Sequence, residues 1–326
     1  MYSFVFLIAG LALLIVGGEL LVRGSVKTAS RLGVSPLVIG LTLVGFGTST
    51  PELVTSVQAS LSGAPGIAVG NIVGSNIANL LLILGVSALL APIAVQSSSL
   101  RRDGGVLVAV SLGFAALSVV WPLDRLAGAL FVLLLIAYMV YAFRQERVAG
   151  TDHGAAFDKG EALSATDPAL RPGSEERGGS IVLPLLLALA GLVLVVLGGS
   201  LLVDAAVTIA RDYGISETVI GLTIVAVGTS MPGLVTSVTA ALKKQSDVAF
   251  GNVIGSNIYN VLGIGGFTGL ISPVEIPQEI VRFDNPVMVA VTVLAVLFAW
   301  TGGRVGRVEG TILVTGYAVY MFLLWP

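Results

Sequence analysis

Apolar residues along the chain are grouped into about ten stretches, separated by short polar or charged segments. Each stretch is close to the roughly 20 residues that an α-helix needs to cross the hydrocarbon core of a bilayer. The pattern therefore predicts an all-α membrane protein with ten transmembrane helices. The expected helices cover residues 3–22, 33–62, 66–91, 104–121, 123–143, 181–204, 214–242, 247–271, 286–301 and 308–325.

One long polar segment interrupts this pattern near the middle of the chain. Residues 144–180 read RQERVAGTDHGAAFDKGEALSATDPALRPGSEERGGS, which has too few apolar residues to fold on its own. We interpret this segment as a cytoplasmic linker that joins two halves. The predicted domains are a first transmembrane repeat at 1–143, the polar linker at 144–180 and a second transmembrane repeat at 181–326.

The two halves carry the same sequence pattern. The segment GVSPLVIGLTLVGFGTSTPEL, which starts at Gly33, aligns without gaps on GISETVIGLTIVAVGTSMPGL, which starts at Gly214, and every matched pair is 181 positions apart. Five helices are an odd number, so the second half enters the membrane from the side opposite to the first. The sequence therefore predicts two inverted five-helix repeats with interrupted helices at the centre, an architecture of many secondary transporters.

The distribution of Lys and Arg predicts the orientation in the membrane, because these residues prefer cytoplasmic loops. With the N-terminus outside, fourteen of the 17 basic residues fall on the inner side. Only Arg125, Arg211 and Arg282 remain outside. We therefore expect a multi-pass protein of the cell (inner) membrane with both termini extracytoplasmic.

Composition narrows the classes of function. Of the 326 residues 55% are hydrophobic and only 11% are charged, against about 25% charged in an average soluble protein. A net charge of −2 without a basic run argues against nucleic-acid binding, and zero cysteines exclude thiolate chemistry. The sequence has no nucleotide-binding motif and no His-Glu-x-x-His motif, and its one histidine, His153, lies in the linker. We expect neither an ATP-driven pump nor an intramembrane hydrolase, and no cofactor.

Glu52 is the one acidic residue that the pattern places in the middle of a membrane helix, within GTSTPEL. A carboxylate at that depth costs at least ~2.5 kcal/mol on insertion scales and usually marks an ion or proton path. Pro51 frees the backbone carbonyl of Gly47, and Thr48 and Ser49 lie on or beside the face of Glu52. These hard oxygen ligands suit Na⁺, Ca²⁺ or Mg²⁺. The structural alternative is a protonated Glu52 that is hydrogen-bonded to a neighbouring helix.

A polar stripe follows on the next helix, in GNIVGSNIANL. Asn71, Ser75 and Asn79 recur every four residues and share one face. Taken alone, such a stripe is as consistent with packing between membrane helices as with a ligand set. Its repetition in the second half favours ligands. The repeated residues are Asn252, Ser256 and Asn260.

The paired motifs GTSTPEL with GNIVGSNIANL, and GTSMPGL with GNVIGSNIYNVL, closely resemble the alpha repeats of the calcium/cation antiporter superfamily, in particular those of prokaryotic sodium/calcium exchangers. The resemblance implies four central helices around mid-membrane cation sites and two peripheral helices that slide to alternate access. It implies that Ca²⁺ binds Glu52 and Thr48, with the backbone around Thr229. The implied Na⁺ ligands are Ser49, Ser75, Ser230 and Ser256 with backbone carbonyls near Gly45 and Ala226, while Asn79 and Asn260 line the centre.

Two positions differ from the usual pattern of that family. Gly233 stands where symmetry with Glu52 predicts a second acidic ligand, and Asn260 occupies a position that is aspartate in potassium-dependent members. One carboxylate neutralises one Na⁺ or H⁺ but only half the charge of Ca²⁺. We expect Na⁺/Ca²⁺ exchange across the lipid bilayer. The alternatives are a transport-impaired or altered-specificity member that exchanges a monovalent cation or H⁺, and a ten-helix metabolite transporter.

Overall fold

The computed structural model describes residues 2–32, 45–47, 49–95, 100–148, 159 and 180–325. In the first half, the described residues form five helices, and a single helical turn at Gly45–Gly47 precedes the second of them. The third helix continues from Pro65–Ala78 through a π-helical turn at Asn79–Ile83. The helices of this half are α1 (Tyr2–Arg31), α2 (Thr50–Leu61), α3 (Pro65–Leu90), α4 (Leu100–Val120) and α5 (Arg125–Val148).

The second half follows the same order of elements. The helix equivalent to α2 is α8, which follows α7 after a break of one residue, and α7 and α8 are bent by 48° at that break. The helix equivalent to α3 runs from Ser246–Tyr259 through a π-helical turn at Asn260–Gly265 into Gly266–Ile271. The helices are α6 (Val182–Tyr213), α7 (Glu217–Thr229), α8 (Met231–Leu242), α9 (Ser246 to Ile271), α10 (Ile280–Gly302) and α11 (Arg307–Leu324).

Within the described residues, seven helices are long and apolar enough to cross a membrane, and α7 with α8 would form an eighth span. The first part of the predicted helix 33–62 lies outside the described residues. The predicted ends of the first helix of each half are wrong: α1 ends at Arg31 instead of residue 22, and α6 ends at Tyr213 instead of 204. Charged residues continue both helices beyond their apolar part: Arg23 pairs with Glu19 on α1, and Asp204 and Arg211 are exposed on α6.

The first helices of the two halves pack against each other in antiparallel orientation. A methyl group at Gly10 would lie 2.7 Å from the backbone nitrogen of Leu202, and one at Gly17 would lie 2.8 Å from that of Val195. The helices approach closely because glycine has no side chain. Since α1 and α6 are equivalent in the repeat, their opposite directions agree with an inversion between the halves.

The third helix of each half packs on the last helix of the other half. Gly85 of α3 meets Gly310 of α11, and Gly266 of α9 meets Gly128 of α5, in each case with backbone atoms near the position of a missing side chain. Gly85 and Gly266 are 181 positions apart, as in the sequence repeat. Helices of both halves therefore interlock around one core.

Short backbone pairings also join the two halves of the chain. Strand β1 (Ile93–Ala94), after α3, pairs antiparallel with β2 (Arg304–Val305), between α10 and α11. In the same way Leu123, between α4 and α5, forms a bridge with Val274, after α9. The two pairings fix the loops at both ends of the bundle and leave the helix breaks between them.

Candidate cation site

Glu52 lies at the start of a helix that begins inside the protein. Helix α2 begins at Thr50, directly after Ser49, with Pro51 and Glu52 in its first turn. Proline is tolerated there because the first backbone N–H groups of a helix have no intrahelical partner. The side chain of Glu52 is only 4% exposed. The carboxylate is thus buried at the positive end of the helix dipole.

The helix break of the second half faces this carboxylate. Helix α7 ends at Thr229 and α8 begins at Met231, so that Ser230 occupies the break. The Ser230 hydroxyl donates a hydrogen bond of 3.1 Å to Oε1 of Glu52. Oε2 of Glu52 has no hydrogen-bond partner among the described residues. The two breaks together therefore present a buried carboxylate oxygen that a cation could take as a ligand.

Asn71 of the polar stripe connects three helices. Its Nδ2 donates to the backbone oxygen of Glu52 at 3.0 Å and to the hydroxyl of Ser56 at 2.9 Å. Its Oδ1 accepts from the hydroxyl of Thr229 at 3.0 Å and lies 3.5 Å from that of Ser75. Asn71 therefore positions the backbone of Glu52 and the end of α7 relative to each other.

The equivalent asparagine of the second half, Asn252, repeats the two bonds that Nδ2 of Asn71 donates, whereas its Oδ1 has no partner among the described residues. Nδ2 of Asn252 donates to the backbone oxygen of Gly233 at 3.4 Å and to the hydroxyl of Ser237 at 2.7 Å. Gly233 and Ser237 are 181 positions after Glu52 and Ser56. These two donated bonds therefore follow the sequence repeat, although at position 233 the second half has no carboxylate.

At the centre, the symmetry between the stripes is incomplete. Nδ2 of Asn79 donates to Oδ1 of Asn257 at 2.9 Å. The equivalent bond would join Asn260 to Asn76, yet both polar atoms of the Asn260 side chain and Oδ1 of Asn76 have no partner within the described part of the chain. All four side chains are buried. Unpaired buried oxygens are costly, so these are natural positions for a cation or water.

The structure brings together most of the residues that the sequence predicts. Glu52 contacts Ser230, Ser75 and Thr229 meet at Asn71, and Ser49 and Ser256 contact one shared partner. The carbonyl of Ala226 already accepts two hydrogen bonds, one from the backbone nitrogen of Ser230 and one from the hydroxyl of Thr229. Thr48 lies outside the described residues, and Gly45 begins the single turn before α2.

The shared partner is Lys159, which the sequence pattern assigns only to the linker. Its Nζ donates to the hydroxyl of Ser49 at 3.2 Å and to that of Ser256 at 2.7 Å, and the side chain is fully buried. Nζ also lies 5.6 Å from the centre of the Tyr259 ring. No periodicity or motif in the linker distinguishes this lysine from its neighbours, so the sequence offers no signal for the contact.

Two further buried carboxylates escape the sequence prediction. Tyr138 of α5 donates to Asp103 of α4 at 3.3 Å, and Tyr320 of α11 donates to Asp284 of α10 at 2.8 Å. Asp103 also forms an ion pair with Arg102. A signal existed: RRDGGVLVAV and RFDNPVMVAV keep the offset of 181, which places the two aspartates at equivalent positions. Each hydrogen bond joins the fourth helix of one half to the fifth helix of the same half.

Comparison with known proteins finds similarity over nearly the whole chain. The model of the family described as sodium/calcium exchanger protein matches residues 2–144 and 183–325. The chain is 38% identical to the putative antiporter CaxA of Alkalimonas amylolytica, over 98% of both chains, and 36% identical to the sodium/calcium exchanger MaX1 of Methanosarcina acetivorans, over 99% of this chain and 98% of the relative. A solved structure of the sodium-calcium exchanger NCX_Mj superposes with a TM-score of 0.62 at 32% identity, over 100% and 99% of the two chains.

These similarities define a class of protein, the multi-pass membrane transporters that exchange cations and are not enzymes. The chain belongs to the sodium/calcium exchanger family.

Proposed function

We propose that this protein exchanges Na⁺ for Ca²⁺ across the cell (inner) membrane by alternating access. The observation that carries the proposal is the buried Glu52 carboxylate at a helix break, held by Ser230 from the break of the other half. A carboxylate at this depth, with one oxygen unpartnered in the described structure, is expected to face an ion path.

The ligands are oxygen atoms from both halves of the chain. Ca²⁺ takes Glu52 and Thr48 together with the backbone at Thr229, and Asn79 and Asn260 line the space between the halves. Carboxylate, hydroxyl and carbonyl oxygens are the ligands that such hard cations prefer. The remaining ligands take Na⁺; they are Ser49, Ser75, Ser230, Ser256 and the carbonyls near Gly45 and Ala226.

Alternating access uses the ten-helix inverted repeat. Helices α1 and α6 form the peripheral pair that moves past the central helices, and both termini are extracytoplasmic. The interface within this pair consists of backbone and small residues around Gly10 and Gly17. Close backbone contact of this kind holds the two helices together, so that they move as one body.

A second candidate function is exchange of a monovalent cation or H⁺, which the residue at position 233 favours. Glu52 is a single carboxylate. In the part of the chain that the structure describes, no three acidic or histidine residues lie close enough together to hold a metal ion. Gly233 supplies only its backbone to the network around Asn252. A site with one negative charge is matched in charge by one Na⁺ or one H⁺.

Flux measurements in lipid vesicles separate these functions. Vesicles that contain the purified protein are loaded with Na⁺ and diluted into Na⁺-free medium that contains radioactive Ca²⁺. Na⁺/Ca²⁺ exchange predicts Ca²⁺ uptake that disappears when the Na⁺ gradient is abolished. Monovalent exchange predicts no Ca²⁺ uptake but a change of internal pH or of a second monovalent cation with the Na⁺ gradient. A metabolite transporter would produce neither signal.

A further inference from the structure

The ammonium group of Lys159 is held as a metal cation would be held. Its Nζ donates to two serine hydroxyls, one before α2 and one on α9, and lies near the face of Tyr259. Both serines belong to the set that we assign to Na⁺. An ammonium carries the same single charge as Na⁺ and binds the same oxygen ligands, with hydrogen bonds in place of coordination.

Charge also favours Lys159 at this position. The ammonium of Lys159 and the carboxylate of Glu52 attract each other across the buried site. Because Gly233 replaces a second carboxylate, one ammonium balances the one negative charge present. A Na⁺ or Ca²⁺ ion that enters beside Lys159 would leave an uncompensated positive charge in a low-dielectric environment, which is unfavourable.

The linker is long enough to place Lys159 there. Helix α5 ends at Val148, eleven residues before Lys159, and helix α6 begins at Val182, 23 residues after it. Eleven extended residues span up to about 36 Å. The site at mid-membrane is about half of the ~30 Å hydrocarbon core away from the surface. The linker segments on both sides of Lys159 are therefore long enough to reach the site. Because the lysine is tethered in this way, its effective concentration at the site is high.

We propose that Lys159 is a tethered competing cation: its ammonium group occupies the cation site from the linker side and inhibits exchange until Na⁺ or Ca²⁺ displaces it. The inference rests on the proposed function, since it concerns regulation of that same site. It assigns to the linker a regulatory role in addition to the connection of the two repeats.

The first test compares transport by the full chain and by two lysine variants in vesicles. Lys159→Gln removes the ammonium from the site, and Lys243→Gln removes one from the exposed end of α8. The proposal predicts that Lys159→Gln lowers the KM for Na⁺ on the linker side several-fold with the maximal rate unchanged, as expected for loss of a competitor. Lys243→Gln should leave the KM for Na⁺ as in the unmodified protein. Equal KM values in Lys159→Gln and the unmodified protein would overturn the proposal.

The second test needs no transport and uses the unmodified protein in detergent. Exposed amines are acetylated with an activated ester, and the rates at Lys159 and Lys243 are followed by mass spectrometry. In N-methylglucamine chloride, whose cation is too large for the site, we expect Lys159 to react at least tenfold more slowly than Lys243. Saturating Na⁺ or Ca²⁺ should raise the rate at Lys159 alone.

The two tests distinguish failure of this inference from failure of the proposed function. Equal acetylation rates at Lys159 and Lys243 without Na⁺, or slow acetylation that no cation relieves, would contradict the tethered cation. Protection that Na⁺ relieves, in a protein that moves no Ca²⁺, would support it and contradict only Na⁺/Ca²⁺ exchange.

Discussion

The Ser230 hydroxyl of one half donates to the Glu52 carboxylate of the other over 3.1 Å. This bond crosses between two helix breaks that occupy equivalent positions in the repeat. A shift of one half relative to the other would alter the distance between hydroxyl and carboxylate. If Glu52 binds a cation as we propose, such a shift would also alter the affinity of the site for that cation.

Glu52→Gln should abolish cation exchange while the protein still folds. The amide keeps the size of the side chain but removes the carboxylate that accepts the hydrogen bond from Ser230. Loss of a bond to a charged group costs about 1.5–3 kcal/mol, which corresponds to roughly a tenfold to hundredfold loss in cation affinity. Glu19→Gln, at the exposed ion pair of α1, is the control and should transport normally. Unchanged flux in Glu52→Gln would refute the site.

Gly233→Glu should increase affinity for Ca²⁺ more than affinity for Na⁺. A methyl group at Gly233 would meet only Cδ1 of Ile83, at 3.8 Å, so a larger side chain can be accommodated. The added Coulomb energy scales with the charge of the ion, which favours the divalent cation. Two nearby carboxylates also share a proton when no cation is bound, so competition by H⁺ should increase. Binding isotherms for both ions at several pH values provide the test; an unchanged Ca²⁺ affinity would show that position 233 does not face the site.

Ser75 and Ser256 should be more sensitive to substitution than an exposed serine. Both are buried at equivalent positions of the stripes, and valine at either would replace a hydroxyl oxygen with a methyl group. We expect Ser75→Val and Ser256→Val to weaken the Na⁺ dependence of transport by roughly tenfold or more, the cost of one lost ligand or buried hydrogen bond. Ser62→Val, at the exposed end of α2, is the control. Equal Na⁺ dependence in all three variants would contradict the assignment of the stripes.

The sequence predicts the local features of the site because they depend on residues that are close together along the chain. Pro51 beside a buried glutamate predicts a helix break, and the structure has α2 begin there. The offset of 181 predicts which residues are equivalent, and the hydrogen bonds of Asn71 and Asn252 follow it.

Contacts that depend on distant parts of the chain escape sequence analysis for a physical reason. Lys159 lies 110 positions from Ser49 and 97 from Ser256, in a segment without periodicity. Asp284 reads as a residue at a helix end, and only its contact with Tyr320 on another helix explains its burial. Hydrophobic patterns identify which faces are buried but do not identify the partner.

Tyr320→Phe should destabilise the protein more than Tyr138→Phe. Tyr320 donates to a buried carboxylate at 2.8 Å, whereas Asp103, the partner of Tyr138, keeps the nearby guanidinium of Arg102. Loss of the donor to a buried carboxylate costs about 1–3 kcal/mol. Thermal unfolding in detergent should show a lower midpoint for Tyr320→Phe. Tyr141→Phe, on an exposed face of α5, should unfold as the unmodified protein does, and equal midpoints for all three variants would show that the pairs carry no stability.

Gly17→Ala should disrupt the contact between α1 and α6. The added methyl group would lie 2.8 Å from both Cβ of Leu194 and the backbone nitrogen of Val195, distances that require the helices to separate. Overpacking of this kind typically costs 1–3 kcal/mol. Gly113→Ala on α4, where no atom lies within 4 Å, is the matched control.

If α1 and α6 move as one body, Gly17→Ala should also slow exchange at saturating ion concentrations while Ca²⁺ binding at equilibrium is retained. Measurements of Ca²⁺ binding and of maximal flux in the same variant test whether only the flux is lowered. Normal flux and normal thermal unfolding in Gly17→Ala would show that the close contact of the two helices is dispensable.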